Sequence, residues 1–198
     1  MLVPKGSSHE TIEIKKSRFI SIGMYVSSAE KAKEIVKATR KEYADSSHVV
    51  HAFLSGTSAN IFGFSDDREP SGTAGRPVLE VLKGSGITNI IVLVVRYFGG
   101  TKLGTGGLVK AYTEAAQKAL ESLPVEELVF KIGFKIDLTY DFYNHIIKIL
   151  KRHSAEFKEP VFDTQIHISG KLPEEELSSV SEKIRDISAG RVRLVHKK

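Results

Sequence analysis

Cysteine is absent from the 198 residues, which excludes disulfides and thiolate chemistry. No apolar run approaches the roughly 20 residues of a transmembrane helix. The longest, Ile90-Ile91-Val92-Leu93-Val94-Val95, has the length and β-branched character of a strand. The opening MLVPKGSSHE lacks the apolar segment of a secretory signal, so the cytoplasm is the expected compartment and no membrane partner is expected. Internal repeats and low-complexity tracts are missing as well. Nor is there a large surplus of one charge. The net charge is +5, with 16 Lys and Arg against 14 Asp and Glu in residues 1–128 and 13 against 10 in residues 129–198. This mild excess permits RNA binding without requiring it.

What is present reads as two α/β domains. Residues Thr11–Met24 read as a strand with a turn, Ala29–Tyr43 as a helix capped by Ser27 or Ser28, and Val49–Leu54 as a strand. Ile61–Arg76 is polar and rich in turn formers, which predicts a long ordered loop. Pro77 is placed to open a helix that ends at Gly84 and Gly86. Asn89–Tyr97 reads as a buried strand, and Leu108–Leu123 as an alanine-rich helix stopped by Pro124. Pro124 with Glu126 and Glu127 marks a break, with the linker expected near Val125–Lys131. Beyond it come a strand at Phe134–Leu138, a helix at Phe142–His153 capped by Asp141, and hairpin strands at Ala155–Glu159 and Phe162–Ile168. A helix at Glu174–Ile187 and a strand at Arg191–His196 complete the chain. This β-α-β-β-α-β order predicts a ferredoxin-like domain over 129–198, following a first domain over 1–128.

Two segments carry the candidate chemistry. One is Asp66-Asp67-Arg68-Glu69-Pro70-Ser71-Gly72-Thr73-Ala74-Gly75-Arg76-Pro77; the other runs from Arg96 to Leu108 through Gly99, Gly100, Lys102, Gly104, Thr105, Gly106 and Gly107. Each puts glycines and hydroxyls just before a helix, where free N–H groups attract anions. The second follows a buried strand, the position at which open α/β sheets usually bind ligands. An anion or phosphate site is therefore expected at Arg96, Lys102, Gly104, Thr105, Gly106 and Gly107. The alternative is that the glycines serve only tight turns and helix–strand packing.

The nucleotide motifs fail. Gly99 to Gly104 has the first spacing of a Walker loop, but Thr105-Gly106 replaces the Lys-Ser/Thr pair. The dinucleotide fingerprint lacks its third glycine, where Val109 stands. No serine lies in a Gly-x-Ser-x-Gly elbow, and no nucleophile, base and oxyanion set is visible. No catalytic residue and no cofactor is therefore expected. Asp66, Asp67 and Glu69 suit loop solvation and helix capping better than a metal. His48 and His51, three apart on a strand, face opposite ways, so no shared metal is expected. Arg76, Arg96, Lys102 and Lys110 form a candidate nucleic-acid rim, with Lys151 and Arg152 as an outlying pair. Tyr97 and Phe98 are candidates to stack a base.

The segment Glu69-Pro70-Ser71-Gly72-Thr73-Ala74-Gly75 before Pro77 belongs to one set of motifs with Arg96-Tyr97-Phe98-Gly99-Gly100 and Leu103-Gly104-x-Gly106-Gly107-Leu108. Ala111-Tyr112, Ser17-Arg18-Phe19 and His48 complete it. Together they resemble the Impact family, in its bacterial two-domain form, over residues ~15–125. The family's motif loop falls here on Asp67, Glu69, Ser71, Gly72, Thr73 and Gly75. Arg68 departs from the pattern, since the family usually has glycine there, and so does Val50-His51. The resemblance implies an N-terminal domain with the fold of the second domain of a small-subunit ribosomal protein, shared with GHMP kinases. It also implies a C-terminal domain similar to the last domain of elongation factor G. Eukaryotic relatives regulate translation through a kinase that senses uncharged tRNA. They use an additional N-terminal domain without a counterpart in these residues, so that partner is not expected here. The expected function is a non-enzymatic regulator associated with RNA or the ribosome. The alternatives are an enzyme acting on a small phosphorylated substrate between the two glycine loops, and a protein–protein adaptor using the C-terminal sheet face.

Overall fold

A computed structural model describes residues 1–56 and 59–196. The chain divides into two compact units, Met1–Leu128 and Val129–Lys198.

In the first unit, strands β1 (Leu2–Pro4), β2 (Ser8–Ile14) and β3 (Ser17–Tyr25) precede helix α1 (Ala29–Glu42). Then follow β4 (His48–Ser55), β5 (Ile61–Ser65), α2 (Gly75–Gly84), β6 (Ile90–Tyr97), α3 (Thr105–Glu121) and β7 (Val125–Glu127). Five strands form one sheet in the order β2-β3-β6-β4-β5, with every neighbouring pair antiparallel. The hairpin β2–β3 turns on Lys15 and Lys16, both at positive φ, which matches the strand twist of a two-residue turn. Residues Ile90–Val95 of β6 are all buried because helices cover both faces. Val50, Val92 and Val94 join α2 and α3 in one cluster; Val49, Leu93 and Val95 join the α1 side in another.

Several expectations need correction. The ligand-binding position inferred for an open α/β sheet belongs to parallel strands, whereas β6 lies between two antiparallel neighbours. Ile61–Ser65, expected within a loop, is an edge strand on β4. Its pattern is interrupted by Gly63, which is required because a Cβ there would lie 2.6 Å from Phe53 Cε1. Pro77 is not the first residue of α2 but the third, still within the turn whose amides lack intrahelical acceptors. Val125–Glu127, expected in the linker, pairs as β7 with β1 at the chain's start.

The second unit runs β8 (Lys131–Leu138), α4 (Tyr140–Arg152), β9 (Glu156–Phe157), β10 (Val161–Phe162), β11 (Ile166–Pro173), a 3-10 turn at Glu174–Glu176, α5 (Leu177–Ile187) and β12 (Leu194–His196). The sheet order is β10-β11-β8-β12, with β9 also on β11, so the fold is α+β with the expected element order. The expected hairpin is redistributed: its first strand shrinks to β9, and its second is split between β10, which takes Phe162, and β11, which starts at Ile166 and extends to Pro173. Thr139, not Asp141, precedes α4 as its cap, and Asp141 sits in the first turn. Phe134, Ile136, Ile166 and Ile168 meet Ile146, Leu150, Val180 and Ile184 in a single core. Both helices therefore cover one face of the sheet. Among the described residues, no helix is long and apolar enough to cross a membrane.

Two histidines are expected to titrate on opposite sides of the ordinary value of 6.5. His167 lies between Asp137 (Nδ1 to Oδ1, 2.6 Å) and Asp163 (Nε2 to Oδ2, 3.2 Å); the hydrogen bond to Asp137 leads in raising its pKa. His51, with its Nδ1 buried and unpartnered, is lowered by burial. The stabilising contribution of His167 is full below the unfolded value and fades as pH rises through its raised value. His51 acts oppositely, costing stability as pH falls below the ordinary value, because the unfolded chain takes up a proton that the folded one resists. Two-dimensional NMR of the ring protons against pH measures both midpoints; a His167 midpoint below that of His51 would contradict these environments.

Candidate functional site

The family-motif residues converge on Glu69. The segment Asp66–Ala74 leaves β5 and returns to α2 through a tight turn, with Asp67 at φ 42° and Arg68 at φ 70°. This explains why glycine suits position 68: its left-handed backbone strains any residue with a Cβ. Arg68 points outward, and its guanidinium donates to the Ser47 carbonyl at 3.3 Å. Asp66 accepts the amides of Gly72, Ala74 and Gly75 at 2.8–3.0 Å and so caps α2, whose preceding residue Ala74 has no capping side chain. Replacing Asp66 with alanine is expected to cost about 0.5–2 kcal/mol, as for lost helix caps generally. Urea unfolding checks this; a variant as stable as the parent would show that the cap contributes nothing. Gly75 is required where it stands, since a Cβ would meet the Ser65 carbonyl oxygen at 2.6 Å.

From this loop Glu69 turns inward. Its Oε1 accepts from Arg96 Nη1 at 2.6 Å and from the Tyr112 hydroxyl at 2.7 Å, and lies 3.8 Å from His48 Nε2. His48 Nδ1 is 2.8 Å from the Asp67 carbonyl, an acceptor only, so that nitrogen carries the proton. Asp67 accepts Arg40 at 2.7 Å and the amide of Val49. Arg96 Nη2 reaches Ser17 Oγ at 3.3 Å, and the same hydroxyl accepts the amide of Gly99 at 3.1 Å. The guanidinium of Arg96 also lies over the rings of Phe19 and Phe98, a cation–π arrangement. Burial, followed by the charge of Glu69, pushes the Tyr112 hydroxyl far above its ordinary pKa, so it stays a proton donor to the carboxylate. The network thus ties the Asp66–Ala74 loop to β3, β4, β6 and α3. Arg96 and Tyr112 are gathered on one Glu69 oxygen, with His48 more distant.

The expected site residues divide. Arg96, expected at the rim of the anion and nucleic-acid sites, is 5% exposed and committed to Glu69; burying so large a cation requires that partner. Lys102, Gly104, Thr105 and Gly106 are exposed at the start of α3, and Gly107 is half-buried. Arg76 and Lys110 are exposed on α2 and α3; Lys151 and Arg152 are exposed at the end of α4. In the motif loop Ser71 and Gly72 are exposed, whereas Thr73 and Gly75 are buried. Of the proposed stacking pair, Phe98 is 50% exposed, while Tyr97 is covered by Arg18 and donates to Asp45. His48 and His51 do not meet, and no three acidic or histidine side chains among the described residues are grouped to hold a metal. Sequence reasoning missed the carboxylate–arginine–tyrosine contact itself. The available signal was Tyr112 on a helix face that beyond Leu108 is made of Ala111, Ala115, Ala116 and Ala119. A large hydroxyl-bearing residue among alanines implies a buried partner.

Comparison with known proteins agrees with the convergence of these motifs. Residues 15–120 match the model of the Impact N-terminal domain. An IMPACT family member of Haemophilus influenzae is 36% identical over 193 residues, covering 96% of this chain and 94% of the relative. The IMPACT family member YigZ of Escherichia coli is 35% identical over 196 residues, with 98% and 96% covered. A crystal structure described as that of a hypothetical protein matches with a TM-score of 0.72 and 34% identity, over 100% of this chain and 97% of the other. The residues gathered around Glu69 lie in the matched segment, the likeness extends through the second unit, and the chain belongs to the Impact family.

Proposed function

We propose that this protein is a non-enzymatic regulator of the translation apparatus that works in the cytoplasm by binding RNA or the ribosome. The observation that carries the reading is a division among polar residues of the first unit. Glu69, Arg96 and Tyr112 are bound to one another in the interior, with His48 Nε2 3.8 Å from the same carboxylate. Arg76, Lys102 and Lys110 stay exposed and make no ion pair among the described residues. Membership of the Impact family supports the link to translation, since its motifs are similar to those of eukaryotic regulators.

The reading assigns the phosphate contact to the first turn of α3. Leu108 makes the first intrahelical bond, to the Gly104 carbonyl at 2.9 Å, and Gly104 offers no side-chain cap. The amides of Thr105, Gly106 and Gly107 are left for an anion beside Lys102. With Arg96 withdrawn into the interior, the nucleic-acid contacts are Arg76, Lys102 and Lys110, with Lys151 and Arg152 in the second unit.

Changing Lys102 and Lys110 together to glutamate is expected to weaken binding of bulk tRNA at low salt by about tenfold or more. The log–log salt slope should become shallower by roughly 1.4–1.8, since two phosphates are no longer neutralised. Both side chains are exposed, so thermal unfolding should not shift. Unchanged tRNA affinity, together with a lost stabilisation by a small phosphorylated compound, would transfer the site to the enzyme alternative.

A further inference from the structure

The two edges of the first unit's sheet are built differently. The edge strand β2 carries Glu10 and Glu13 and turns Ile12 and Ile14 onto the core. Charges of this kind keep an edge from pairing with other chains. The opposite edge, β5, reads Ile61-Phe62-Gly63-Phe64-Ser65, without a charge or a proline. Among the described residues β5 pairs with β4 alone, so alternate residues turn their N–H and C=O groups away from the sheet. Ile61, Phe62 and Phe64 are 44–53% exposed, and the two phenylalanines join none of the core clusters.

The register fixes where these side chains lie. Phe62 stands across from Leu54 and Phe64 across from Ala52, and both of those partners pack with Val78, Leu79 and Leu82 of α2. The phenylalanines are therefore on the α2 side of the sheet, beyond the cover of the helix, and Ile61 is on the other side. Beside Phe62, the side chains of Leu54, Ala59 and Ile87 line a depression of about 390 Å³. Three half-exposed side chains of this size present on the order of 300 Å². A stable dimer buries about 800 Å² on each partner, so the patch is too small to hold a second copy of this chain through β5. A folded surface would also leave the outward backbone groups of β5 unpaired. An added strand pairs them, and its alternate side chains fall beside Phe62 and Phe64 and into the depression.

We infer that the free edge of β5 takes up an extended segment of a partner protein, about five or six residues long, with an apolar side chain at every second position. Docking of this segment does not depend on RNA binding, which uses other residues.

The test selects random ten-residue peptides, displayed on phage, against the full chain. The most enriched sequence is then made as a fluorescein-labelled peptide and its binding is followed by anisotropy. Enriched sequences are expected to share apolar residues at alternate positions. The variant Phe62→Thr/Phe64→Thr keeps β-branched residues suited to a strand and is expected to bind the peptide at least tenfold more weakly. N-methylation of those peptide amides that face β5 should cost at least as much, and N-methylation of the intervening amides little. In the unaltered protein, amides within Ile61–Ser65 should exchange with deuterium more slowly when the peptide is bound, while those of β2 keep their rates. That measurement is independent of whether the variant folds. Selection without a shared alternation, equal binding by parent and variant, or unchanged exchange at β5 would each overturn the proposal. A parent that sediments as a dimer, with the double variant a monomer, would put a second copy of the chain in place of the peptide.

Discussion

Replacing Glu69 with alanine is expected to destabilise the first unit by about 3–5 kcal/mol, the range for removing one partner of a buried ion pair. The carboxylate is 4% exposed and its arginine 6%. The guanidinium cannot release its proton, so the variant leaves a charge inside with no counterion. Tyr112, 2.7 Å from the same oxygen, loses its acceptor as well. Glutamine at 69 retains a carbonyl for both donors and should cost less. The double change Glu69→Met/Arg96→Met should regain part of the loss, because a buried pair is often replaceable by apolar groups of similar volume, while Tyr112 still lacks its acceptor. Urea unfolding followed by circular dichroism measures all three variants. An alanine variant with the parent's midpoint would show that Glu69 is not the clamp of the motif loop.

Gly99→Ala is the second large effect. A Cβ on Gly99 would fall within the van der Waals radii of the Lys16 carbonyl and the Ser17 amide. These are backbone atoms of the β2–β3 hairpin and cannot rotate aside. The amide of Gly99 meanwhile donates to Ser17 Oγ, so the loop cannot withdraw without losing that bond and disturbing Arg96. Overpacking of this kind costs about 1–3 kcal/mol or more. Gly100 makes a useful contrast: no atom lies within 4 Å of its added Cβ, and its φ of +83° is the only demand for glycine. Alanine at 100 should therefore be milder than alanine at 99. Thermal unfolding of the two variants side by side tests the ranking, and a Gly99→Ala protein as stable as the parent would remove the close approach from the account.

Much of the fold was legible because periodicity is a local property. The helical spacing of Ala29–Tyr43 and the continuous apolar run at Ile90–Val95 lead directly to α1 and β6. Strand direction is not local, and the antiparallel neighbours of β6 could not be read from its residues. The short strands escaped for a different reason. β5 and β7 are exposed or half-exposed, and β7 exists only because β1 pairs with it. The two glycine segments were legible as special, but their use was not. Glycine at 75 and 99 reads equally as a place for a ligand or for neighbouring backbone, and here Ser65 and Lys16 fill that space. Arg96 looked like a rim cation because a charged residue at a strand end usually faces water. Its burial depends on Glu69, 27 positions away, folding back over it. That closure is a tertiary event for which the sequence offers only the motif resemblance.

The claim that the protein works on RNA or the ribosome is tested most directly by filter binding of the unaltered chain to bulk tRNA and to ribosomes at low and moderate salt. The expected result is measurable binding at low salt that weakens as salt rises, with a log–log slope of roughly −0.7 to −0.9 per phosphate contact. No binding to either at low salt would contradict the account and favour an enzyme acting on a small phosphorylated substrate.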